Sequence, residues 1–84
     1  MLHPVLNEDW SDYDNRRIRD GRDRSKFSCE EQWEVDYLVN KLRRYFPSKT
    51  DSAIRNAISS CCTTVRAPRP RQEFVECVVR RLNA

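Results

Sequence analysis

Four cysteines, one histidine and a spread of arginines are the residues of this 84-residue chain whose types could do chemistry. The cysteines stand at 29, 61, 62 and 77, two of them adjacent in "SSCCTTV". A structural zinc site takes four ligands, usually from paired spacings such as C-x2–4-C, and no such pair occurs. Adjacent positions on a helix project about 100° apart, so Cys61 and Cys62 cannot readily chelate one ion. The sole histidine, His3, lies at the far end of the chain. A thioredoxin-like redox pair needs C-x-x-C, which is also absent. No metal and no cofactor is therefore expected. The cysteines read as free thiols that pack as small hydrophobes. Cys29, at an expected helix N-terminus, is the one thiol with a mechanism for a lowered pKa. With no histidine beside it and only one glycine in the chain, neither a cysteine nucleophile nor a Gly-rich phosphate loop is supported. No catalytic residue is expected, and the chain reads as a non-enzyme.

Two other groups of residues could bind something. Trp33 and Tyr37 are i, i+4 neighbours opposite the aliphatic stripe of their expected helix, beside Asn40 and Arg44. Tryptophan, tyrosine and arginine are favoured as interface hot spots, so this face is a candidate protein-binding surface. It could equally be covered by the N-terminal segment through Trp10 or Phe27, or pair with a second copy. The second group is Arg66, Arg69 and Arg71 in "RAPRPR", with Arg80 and Arg81 near the C-terminus. These are candidate phosphate contacts. Glu73 and Glu76 flank them and would repel phosphate, and the Pro-rich connection is unlike the tight turn of a helix-turn-helix reader.

The elements that must position these residues follow from periodicity. "SCEE" opens a helix: Ser28 is a good N-cap with Glu31 three residues on, the capping-box pattern. Val35, Leu38, Val39, Leu42, Tyr45 and Phe46 make one face, and Pro47 stops the helix. Ser48 or Thr50 caps a second helix with a stripe of Ala53, Ile54, Ala57, Ile58, Cys61 and Val65. Pro68 and Pro70 break it. A third helix groups Phe74, Val75, Val78, Val79 and Leu82, with Cys77 at its margin. The expected helices are about 29–46, 50–66 and 70–82. Residues 1–26 differ. Their acidic piece (Glu8, Asp9, Asp12, Asp14) and basic piece ("RRIRDGRDRSK") cancel at −4 and +4, which leaves the net charge of +3 in residues 27–84. With few apolar residues, this arm lacks the burial to offset its ordering entropy and is expected to be disordered. The expected fold is thus all-α: a small three-helix domain, residues 27–84, behind a disordered charged arm, residues 1–26.

No apolar run approaches the length of a membrane span, and the first residues show no signal-peptide pattern. A cytoplasmic location with reduced thiols is the expectation. The runs "RDRSKFSCEEQWEVDYLVNKL" and "SKTDSAIRNAI" resemble a family of very small bacterial helical domains that carries only a domain-of-unknown-function label. The likeness covers about residues 22–66. It rests on an Asp/Arg-rich lead-in, the Glu34, Val35 and Tyr37 of an "EV-x-Y" helix, and a Ser-capped helix with Ala57 at its middle. It implies a compact helical unit and a bacterial source, and supplies no activity. The expected function is a non-enzymatic interaction module that binds another protein, or a second copy of itself, through the aromatic face. A nucleic-acid-binding accessory role through the arginine set is the alternative.

Overall fold

A computed structural model describes residues 3–83 of the chain. Residues 1, 2 and 84, the outer ends of the expected arm and domain, lie outside the described residues. The chain runs through a short 3-10 helix, Pro4–Asn7, then α1 (Ser11–Arg19), β1 (Lys26–Phe27), α2 (Gln32–Arg43), α3 (Asp51–Thr64), β2 (Arg69–Pro70) and α4 (Arg71–Asn83). It is mostly helical. No helix among the described residues is long and apolar enough to cross a membrane.

The last two helices follow their expected stripes. Thr50 caps α3, its side chain accepting from the Ala53 N–H at 3.0 Å, and satisfies one of the helix's orphan donors. Ile54, Ala57, Ile58 and Cys61 face inward at i, i+3, i+4 and i+7. In α4, Phe74, Val75, Val78, Val79 and Leu82 are buried, and these two helices pack on each other. α2 buries Leu38, Val39 and Leu42 as the pattern requires. It starts later than the capping-box reading places it. Residues 26–27 instead form β1, antiparallel to β2, with Phe27 opposite Arg69 and Lys26 opposite Pro70. The Ser28 N–H is satisfied by the carboxylate of Glu34, at 2.9 Å, and not by Glu31.

The N-terminal segment departs most from expectation. Residues 3–26 are not a disordered arm but a fourth helix and its flanks, so the three-helix count is corrected. Val5, Trp10 and Tyr13 are buried in the same core as Leu38, Ile54 and Phe74. Trp10, Tyr13 and Arg17 fall at i, i+3 and i+7, one face of α1. Three large anchors supply the burial that a count of apolar residues does not register. Asp12 and Asp14 stand in the first turn and Arg16, Arg17 and Arg19 in the last, the arrangement favoured by the helix dipole. Gly21, the sole glycine, ends α1 with φ 76°. Its N–H reaches the Ile18 carbonyl at 3.0 Å, and the Arg22 N–H reaches the Arg17 carbonyl at 2.7 Å. Those two bonds define a Schellman cap, which needs a left-handed residue at that position.

The cysteines are also corrected. They are not free thiols: Cys29 is bonded to Cys62 and Cys61 to Cys77, with Cα separations of 6.2 and 6.1 Å, within the usual span for a disulfide. Cys61 and Cys62 project in different directions from α3, so one meets α4 and the other the turn before α2. Cys62 and Cys77 lie at stripe margins because helix margins are where neighbouring elements meet. Cys29 is accordingly neither a helix N1 residue nor a titrating thiol.

Candidate functional site

The aromatic face of α2 is covered from within. Tyr13 lies 5.3 Å from both Trp33 and Tyr37 between ring centroids, and Trp10 lies 5.5 Å from Tyr37. The Arg16 guanidinium stacks over Trp33 at 4.4 Å, a cation–π contact. Trp33 and Tyr37 remain half-buried, and Asn40 is exposed. Burial raises the Tyr37 phenol above its ordinary pKa. Arg44 is engaged too: it and Lys41 bind the carboxylate of Glu8, at 2.5 and 3.0 Å, and Tyr45 donates its hydroxyl to the same group. The Tyr45 hydrogen bond, with the two cations, holds the Glu8 carboxyl below its usual range.

Beneath the aromatic rings is a buried ionic knot. Glu34 is fully buried, and accepts from Arg17 Nη1 at 2.6 and 2.7 Å, from the Tyr13 hydroxyl at 2.6 Å and from the Ser28 N–H. Arg17, only 4% exposed, also donates through Nε to the Asp23 carbonyl at 2.7 Å. Burial, then the Glu34 hydrogen bond, pushes the Tyr13 phenol well above its ordinary value. Each of these groups holds another protein group, so the knot fastens α1 to α2 and offers no group free to react.

The candidate phosphate set is divided. Arg69 is 9% exposed, and its guanidinium donates to the Val65 and Cys62 carbonyls at 2.8 and 3.2 Å, closing the C-terminal end of α3. Arg71 pairs with Asp14 at 2.6 Å and stacks over Trp10 at 4.7 Å. Both fasten parts of this chain together. Arg66, Arg80 and Arg81 are exposed.

Among the described residues, seven of the basic side chains form ion pairs with seven of the acidic ones. Among the described residues, the charges outside ion pairs up to Lys26 balance: Arg16, Arg19, Arg24 and Lys26 against Asp9, Asp12, Asp20 and Asp23. After residue 26 the cations that form no ion pair among the described residues are Arg43, Lys49, Arg66, Arg80 and Arg81, against Glu73 and Glu76. Two grooves flank α4 on this side. One, about 270 Å³, is lined by Lys49, Asn56, Ser60 and Arg81 over a floor of Ala53, Ala57 and Leu82, with no carboxylate. The other, about 420 Å³, holds Arg80, Arg81 and Thr64 beside Glu73 and Glu76. Arg81 belongs to both. Lys49 has no sequence signal that links it to Arg81, because they meet only when α3 and α4 pack. Among the described residues no group of three or more His, Cys, Asp or Glu side chains could hold a metal ion.

Comparison with protein-family models, with curated proteins and with solved structures finds no match to this chain.

Proposed function

We propose that this chain is a non-catalytic binding module, cross-linked by two disulfides, that engages an acidic protein surface through the outer face of α3 and α4. One observation carries the reading: a groove lined by the cations Lys49 and Arg81 with Asn56 and Ser60 contains no carboxylate. Ile18, at 55%, is the large apolar side chain left well exposed among the described residues. A polar, charge-steered contact therefore suits this surface better than a hydrophobic anchor. The covering of Trp33 and Tyr37 by α1 moves the proposed interface away from the aromatic face. The two disulfides favour an oxidising compartment over the cytoplasm. That setting also favours a protein partner over nucleic acid, although the same cations could meet phosphates.

Capture experiments with the full chain test this. Partner capture should survive nuclease, weaken as salt rises, and be lost in Lys49→Glu with Arg81→Glu while helical circular dichroism is unchanged. Capture that vanishes with nuclease would support the nucleic-acid reading. Capture untouched by the double charge reversal would reject the α3–α4 face.

A further inference from the structure

We infer that the cleft between β1 and the segment before β2 is an anion site that takes a phosphate monoester, with Glu30 standing in for the ligand when the site is empty. The cleft has a volume of about 360 Å³. Its lining includes Arg17, Arg22, Lys26, Ser28, Glu30 and Arg69, with Ala67 and Pro68 as an apolar wall. The inference does not depend on the α3–α4 reading, since the two surfaces share no lining residue.

Three features point to an anion. First, two of the cleft's cations are held in place before any ligand arrives. Arg69 is fixed by two backbone carbonyls and Arg17 by the Asp23 carbonyl and Glu34. A pre-positioned guanidinium loses little freedom on binding. Second, donors remain open toward the cleft. Lys26 forms no ion pair among the described residues. Ser28 Oγ accepts from Arg17 and Arg22 at 3.3 and 3.2 Å, which leaves its own O–H to donate. Third, Arg69 Nη1 meets both oxygens of Glu30 at 3.4 Å, well beyond the about 2.7–2.9 Å of a well-made charged hydrogen bond. Glu30 is 70% exposed along its side chain and can swing into water at little cost.

Charge sets the class of ligand. The buried Glu34 already neutralises Arg17, and Glu31, at the cleft, pairs Arg22 at 2.6 Å. When Glu30 moves aside, Arg69 and Lys26 remain as two uncompensated unit charges. A phosphate monoester carries about −1.5 to −2 at neutral pH, a closer match than a single carboxylate. The volume exceeds that of a bare phosphate and falls at the lower end of the range of small-molecule pockets, so the esterified group has room against Ala67 and Pro68.

Titration of the isotope-labelled full chain with phenyl phosphate, followed by amide and arginine side-chain NMR, tests the site at low salt. Saturable shifts are expected at Lys26, Phe27, Ser28 and the Arg69 Nε–H. Lys26→Ala should weaken binding by about tenfold or more, the effect of removing one charged contact. Glu30→Gln should tighten it, while Glu73→Gln, equal in charge but outside the cleft, should not. Acetate should bind distinctly more weakly than phenyl phosphate. The proposal is overturned by shifts that never saturate or that centre on Lys49 and Arg81. It is equally overturned by acetate binding as well as phosphate, or by Glu30→Gln and Glu73→Gln acting alike.

Discussion

Glu34 takes hydrogen bonds from Arg17, Tyr13 and the Ser28 backbone with no access to water. A buried carboxylate of this kind contributes little net stability as a pair, but removing one partner strands the other charge. Glu34→Ala should therefore destabilise the protein by about 3–5 kcal/mol, read from urea denaturation. Tyr13→Phe, which removes one neutral donor from the same carboxylate, should cost about 1–3 kcal/mol. A near-neutral Glu34→Ala would mean that the knot is not formed in solution. Glu8 gives the corresponding pH dependence. Its folded-state pKa is lowered, by the Tyr45 hydrogen bond first and then by Lys41 and Arg44. Its tether is therefore fully present above the ordinary carboxylate range and is lost as pH falls through the lower folded-state value. Glu8→Gln should flatten that part of the stability–pH curve in acid titrations followed by circular dichroism. An unchanged acid limb would show that Glu8 is not held as described.

The elements are joined by two cross-links that act over different lengths of chain. Cys29–Cys62 spans 33 residues and Cys61–Cys77 spans 16. On the chain-entropy account these loops correspond to about 3.7 and 3.1 kcal/mol of stabilisation relative to the reduced chain, with native-state strain able to subtract from either. Non-reducing mass spectrometry should find no free thiol, and reduction should lower the thermal midpoint markedly. A fully reduced chain that melts at the same temperature would contradict the pairing. At the end of α1, Gly21→Ala should cost about 1 kcal/mol, because an L side chain resists the left-handed region. Nothing crowds the Cβ position there, so backbone strain alone sets that figure. The cores of α2, α3 and α4 were legible in the sequence because their apolar residues recur at helical spacing and Thr50 is a plain cap. The start of α2 was less so. "SCEE" satisfies a capping-box pattern locally, but β pairing of Phe27 with Arg69, 42 positions on, and the Cys29 disulfide pre-empt it. No local rule reports such partners. The disulfides were likewise hidden, since pairing depends on which helix margins meet.

At the scale of the whole molecule, α1 decides which surface is available to a partner. With it docked, Trp33 and Tyr37 serve the fold and Arg71 is tied to Asp14 and Trp10, while Lys49, Arg80 and Arg81 stay at the grooves beside α4. The radius of gyration, 12.0 Å, equals the value of about 12 Å expected of a fully compacted chain of this length. The signal for α1 was present in the sequence: Trp10, Tyr13 and Arg17 share a helical face and Asp20-Gly21 closes it. It is outweighed in any composition-based reading by the density of charge, because Arg17 is counted as a solvated residue when its partner Glu34 lies in another element. Amide hydrogen exchange across α1 tests this arrangement most directly. Protection of Asp14–Arg19 comparable to that of the middle of α2 is predicted, lost in both together on denaturation. Exchange of those amides at unprotected rates, with α2 still protected, would mean that α1 does not dock, and would return Trp33 and Tyr37 to the set of free binding surfaces.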